Sequence, residues 1–175
     1  MPKQSFFLLS VLIAVLFPVL SFGGEIPHPT LNIPYLCTFG HESGSDWGDD
    51  DFSQTIFFSV PEKRTAPFYI SIFDPDVGGR VDEIQENWNT ETRFELYGGA
   101  GAYTNPNAKG VTPEVSGKSG ELLVSKIYRM DRETDRKWVL FAEVDPKKGE
   151  LVDGRYRFKF VVEGIKGDDG NLYKL

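Results

Sequence analysis

The densest chemistry in the sequence is Phe73-Asp74-Pro75-Asp76-Val77-Gly78-Gly79-Arg80-Val81-Asp82-Glu83. An apolar, alternating segment runs straight into acids at every second position, and an extended chain turns such alternate side chains to the same side. Two carboxylates about 6 Å apart repel by about 0.7 kcal/mol in water, and by roughly four times that at a half-buried position. A bound Ca²⁺ would reverse that sign. Calcium takes six to eight hard oxygens in a flexible shell, and a glycine-containing loop offers carboxylates and carbonyls together. Asp49, Asp50 and Asp51, just ahead of another alternating segment, would add oxygens if the two loops meet at one end of the fold. The expected metal ligands are therefore Asp74, Asp76, Asp82, Asp49 and Asp51.

The spacing follows an EF-hand only in part. Acids stand at the first and third positions and Gly79 at the sixth, but Gln85 occupies the twelfth, where a bidentate Glu belongs. Over Tyr69–Asp82 the chain resembles C2-like and related calcium-binding β-sandwich modules, which hold the ion in acidic loops at one end of the sandwich. That resemblance implies that Asp74, Asp76 and Asp82 match the ligand-bearing loop. The basic lipid-binding surface of its membrane-targeting members has no counterpart here. A solvated acidic turn stays open beside the calcium reading, because Asp-Pro-Asp and Gly-Gly are also ordinary turn chemistry. Asp131, Glu133 and Asp135 repeat the alternation, but with Arg132 and Arg136 interleaved they read as a solvated hairpin turn, as does Asp168-Asp169-Gly170-Asn171.

Other chemistries find less support. His28, Cys37 and His41 lack the paired spacing and the fourth ligand of a zinc site. The only two histidines sit in a proline-rich stretch, outside any nucleophile context such as Gly-x-Ser-x-Gly. A carboxylate pair for glycoside hydrolysis cannot be chosen by sequence among so many acids. Trp47, Trp88 and Tyr103 lie near turns, where flat rings stack on sugars or anchor a protein partner. They define a second expectation, a carbohydrate-binding or adhesive module; a small secreted hydrolase is the third.

The elements that must position these groups are strands. Period-two alternation runs through 52–60, 68–73, 93–97, 122–130, 138–144 and 156–162, separated by Gly, Pro and Asp turns. Apolar residues on both faces of 68–73 suggest a central strand, and Trp138 is expected in the core. In 156–162, Tyr156, Phe158, Phe160 and Val162 face inward and Arg157 and Lys159 outward to solvent. Val81, Ile84 and Trp88 predict one short helix over 81–88. Residues 98–120, rich in Gly, Asn, Pro and Ser, form a long loop of the functional or mobile kind. Together these predict an all-β fold, an antiparallel β-sandwich of immunoglobulin-like or jelly-roll type with one short helix.

Lys3, the apolar run Phe6–Phe17, Pro18 and Ser21-Phe22-Gly23 read as a signal peptide over residues 1–23, cleaved near Gly23. Residues 24–51, with Pro27, Pro29 and Pro34, are expected to be an extended entry segment, and 52–175 the sandwich domain. The chain is therefore expected outside the cytoplasm, secreted or periplasmic, with no membrane insertion of the mature form. Its single cysteine, Cys37, forms no internal disulfide and reads as a small buried hydrophobe. Nineteen basic against 26 acidic residues, a net charge of -7, exclude a phosphate-backbone binder. The expected partners are calcium and a glycan or cell-surface protein, and the expected role is non-catalytic binding.

Overall fold

The computed structural model describes residues 24–44, 51–109 and 118–175. The leader over 1–23, Trp47, Asp49 and Asp50 lie outside the described residues. Strands β1 (Leu36–Phe39), β2 (Ser53–Pro61), β3 (Phe68–Phe73), β4 (Glu91–Gly98), β5 (Glu121–Tyr128), β6 (Trp138–Val144), β7 (Glu150–Val152), β8 (Arg155–Lys166) and β9 (Gly170–Tyr173) make the fold all-β and antiparallel. One layer is the sheet β2-β8-β4-β5, with β7 paired to β8. The other holds the pairs β1-β9 and β3-β6, joined where Phe73 and Lys174 exchange backbone hydrogen bonds of 3.0 and 3.2 Å.

The core lies between the layers. Phe94, Leu96, Phe158, Phe160 and Val162 come from the first, and Ile72, Phe141, Ala142, Val144 and Tyr173 from the second; all are buried. Rings interlock across the interface in edge-on pairs, Phe94 with Tyr173 at 5.2 Å and Phe141 with Phe160 at 5.3 Å. Such pairs add roughly 0.5–1.5 kcal/mol each beyond the area they bury.

Several expectations change once neighbours are in place. Within the extended entry segment, residues 36–39 belong to the sheet, β1 pairing with β9 from Leu36↔Tyr173 to Phe39↔Gly170. β3 is not central. Among the described residues it has β6 along one edge and only the Lys174 bridge at Phe73 on the other, and its outward apolar residues join a surface aromatic group in which Phe73 stacks on Tyr35 and meets Trp138 edge-on. Trp138, expected in the core, is accordingly 50% exposed. No helix forms over 81–88. The N–H and C=O of Glu83 both pair with Gly170, and the amides of Gln85 and Asn89 donate to the Asp169 carboxylate, so the helical ladder has lost its donors. Two 3₁₀ turns, Pro106–Lys109 and Pro146–Lys148, are the helical elements among the described residues.

The outer face of β8 is not solvated either. The loop after β4 folds across it, burying Tyr97, Ala102 and Val161 together. Lys159 is completely buried there, its Nζ donating to both oxygens of Ser119 at 2.7 Å above the Tyr97 ring. Burial holds its ammonium down at about 8. Glu150 fastens the same loop by accepting from the amides of Gly101, Tyr103 and Thr104 and from the Thr104 hydroxyl. Although burial works against its charge, these donors outweigh it and hold the carboxyl at about 2.

Candidate functional site

At the end of β3 the chain leaves the sheet through Asp74, whose φ of 56° lies in the left-handed region. Asp tolerates that conformation better than most residues because its short side chain bonds locally. Here the bond goes to a neighbouring loop. Asp74 Oδ1 accepts from the amide of Arg136 at 2.8 Å, and Arg136 also has positive φ, 55°. Asp76 accepts from the Asp131 amide at 3.2 Å and the Thr134 hydroxyl at 2.9 Å. Asp82 accepts from Gly78 and Leu172 amides, both at 2.7 Å. Three aspartates of one loop therefore clamp the β5–β6 turn and strand β9.

Glycines let these groups approach. Gly79, at φ 98°, sits where a Cβ would come within 2.7 Å of Asp135 Oδ1. Gly78, Gly79, Asp76, Asp135, Arg132, Met130 and Trp88 surround a cavity of about 300 Å³. Asp74 and Asp76 are 0% and 1% exposed. Two carboxylate oxygens at this pole, Asp74 Oδ2 and Asp135 Oδ1, are buried without a hydrogen-bond partner, although Arg136 Nε lies 3.5 Å from the second. Asn171, completely buried in β9, donates to the Pro75 carbonyl at 3.0 Å and leaves its Oδ1 without a partner as well.

The electrostatics follow from crowding acids where water is scarce. Burial raises Asp74 to about 6; the Arg136 amide opposes the shift, and the charges of Asp76 and Asp135 add to it. Burial raises Asp82 to about 7, against its two amide donors and with the charges of Asp74 and Asp76. Asp76 is raised too, chiefly by burial and partly by Asp135. At neutral pH the pole therefore holds carboxylates that bind a proton more readily than free ones do.

Asp74, Asp76 and Asp82 lie near enough to feel one another's charge, although the chain is not extended at Asp74, where φ is 56°. Asp51 is not with them: it is exposed, and its carbonyl serves the Phe39 amide. Asp135 was expected to be solvated and instead belongs to the pole. Its membership depends on the β5–β6 turn folding back onto Gly79, for which the sequence signal was the alternation Asp131, Glu133, Asp135. Among the described residues, no three His, Cys, Asp or Glu are grouped to hold a metal ion between them. His28, Cys37 and His41 form no such group, and His28 bonds Thr30 instead.

The aromatic expectation is divided in space. Trp88 lines the cavity at the acidic pole. Tyr103 lies edge-on against Phe57 at 5.5 Å, with Lys109 and Arg157 about its ring at 5.3 and 5.1 Å, a packed position on the β2–β8 face. Compared with known proteins, the chain matches no family model, no curated protein and no solved structure.

Proposed function

We propose that the chain is a secreted, non-catalytic binding module whose acidic pole takes up calcium weakly, tightening the loops that present its binding surface. The observation that carries this reading is Asp74 Oδ2, a wholly buried carboxylate oxygen without a hydrogen-bond partner among the charges of Asp76, Asp82 and Asp135. Asp76 and Asp82 have both oxygens engaged by donors, so the ion would meet Asp74 Oδ2 and, in place of the Arg136 guanidinium 3.5 Å away, Asp135 Oδ1. Carbonyl, amide and water oxygens complete its shell. With two carboxylates rather than three or four, affinity falls in the extracellular range of about 10⁻⁴–10⁻³ M. Tenfold excess calcium would then stabilise the fold by about 1.4 kcal/mol.

Export fits this chemistry, since millimolar calcium is an extracellular condition. Among the described residues no helix is long and apolar enough to cross a membrane. Thermal melts at pH 7.5 in millimolar calcium and in chelator test the proposal. A melting point several degrees higher in calcium, with the difference abolished in Asp74→Asn, supports it. Superimposable curves for the parent chain remove calcium from the account.

A further inference from the structure

The second layer of the sandwich is unfinished beside β3. β9 meets β3 at Lys174 and Phe73 and then turns away, and Leu175 pairs on its other side with Ile26 through two 2.8 Å backbone bonds. Between that pair and β3 runs a groove of about 860 Å³, floored by Ile56, Phe58, Val60 and Phe160 and walled by Phe68 and Ile70. This volume is in the range of roughly 300–1,000 Å³ typical of sites that enclose a ligand. Ile56, Phe58, Phe68 and Ile70 pack on the core yet remain only half-buried for want of a covering strand.

The edge of β3 explains what would cover them. Phe73 directs its N–H and C=O toward β9. The register with β6 shifts between Ile70 and Ser71, but the extra residue, Phe141, is on β6, and β3 keeps its alternation, with Ile70 and Ile72 on the core and Tyr69 exposed, so the backbone groups of Ser71 and Tyr69 point the same way as those of Phe73. The described residues supply no backbone partner there. An apolar channel bordered by unpaired ladder groups suits a polypeptide strand better than a lipid or a sugar, since only a strand satisfies both.

We propose that the groove receives an extended segment of a second polypeptide, apolar at alternate positions and laid antiparallel to β3, continuing the ladder that Lys174 and Phe73 begin. The four residues Phe68–Ser71 offer about 13 Å of edge, at 3.3 Å per residue. The inward side chains of the guest rest on Ile56, Phe58 and Ile70, and its backbone pairs with the groups of Tyr69 and Ser71 that no described residue engages. This proposal is independent of calcium.

The test uses a capped heptapeptide of alternating Thr and Val, a same-composition peptide with the valines made consecutive, and a copy N-methylated at alternate amides. Binding is followed in chelator by Trp138 fluorescence, since that ring lines the groove, and by hydrogen exchange of the Tyr69 and Ser71 amides. Saturable binding of the alternating peptide with slowed exchange at both amides is expected. At least tenfold weaker binding is expected for both control peptides and for Ile70→Asn, and the peptide controls decide the matter even if that variant fails to fold. Equal binding of all three peptides, or no change in exchange, overturns the proposal. So does protection of both amides without peptide, which would assign the edge to a second copy if it depends on protein concentration and to the chain itself if it does not.

Discussion

The acidic pole should make this fold more stable as the medium becomes mildly acidic, against the usual trend of acid denaturation. Asp74 and Asp82 bind protons at about 6 and about 7 in the folded chain, against 3.8 as free side chains. A carboxyl raised on folding gives stability that is complete below its unfolded value and is lost as pH rises through its folded value. Lowering the pH from 8 to 5 would recover about 1 kcal/mol from Asp74 and about 3 kcal/mol from Asp82, at 1.36 kcal/mol per unit. Their mutual repulsion is counted in both figures, and Asp82 is partly exposed, so about half the sum, roughly 2 kcal/mol, is expected. Two other shifted groups act outside this window: Glu150, held at about 2, matters at lower pH, and buried Lys159, held at about 8, at higher pH. Urea unfolding in chelator at pH 5, 6, 7 and 8, read by tryptophan fluorescence, measures the slope directly. A domain of this size should melt about 4–8 °C higher at pH 5 than at pH 8. Asp74→Asn and Asp82→Asn should each flatten the profile. Stability that declines steadily from pH 8 to pH 5, or Asn variants with an unchanged slope, would refute the reasoning.

Three further expectations concern the carboxylates and a close backbone approach that hold the loops. Asp169→Ala strands the amides of Gln85, Asn89 and Thr90, which now donate at 3.1, 2.9 and 3.3 Å, and should cost about 3 kcal/mol by denaturant titration. Glu150→Ala should leave the melting point nearly intact but speed proteolysis within 99–104; in the parent chain that loop should stay fully protected above about pH 5 and lose protection progressively from about pH 4.5 down to about 2, because the stabilising charge of Glu150 is lost between its free and its lowered value. Gly164→Ala would place a Cβ 1.9 Å from the Phe39 carbonyl oxygen, a backbone atom, and should destabilise by more than about 3 kcal/mol or prevent soluble expression.

What could be read ahead of folding was whatever lies in local periodicity. β6 spans Trp138–Val144 as its alternation predicts, and β3 ends at Phe73, where the acids begin. Alternation cannot say what covers each face: Lys159 reads as solvated but is buried by a loop that precedes it by some 40 residues. The stripe Val81, Ile84 and Trp88 matches helical spacing, yet β9 and Asp169, about 80 residues later, claim the amides a helix would need. At the acidic pole, Asp74, Asp76 and Asp82 share one loop and were visible as a set. Asp135 and Asn171 reach it from other elements, and Asp169 and Glu150 serve loops 79–84 and 46–49 positions away, respectively, with no local sign of it.

Calcium titration of chelator-stripped protein at pH 7.5, followed through the fluorescence of Trp88 beside Asp76 and Asp135 in the cavity, probes the pole most directly. The double replacement Trp47→Phe and Trp138→Phe as background isolates that signal, since the chain has three tryptophans. A single saturable transition with a dissociation constant near 10⁻⁴–10⁻³ M, absent in Asp74→Asn and unmatched by magnesium, is the predicted result. A flat trace up to 10 mM calcium, or an equal response in Asp74→Asn, contradicts it and leaves the buried aspartates as proton-binding loop clamps alone.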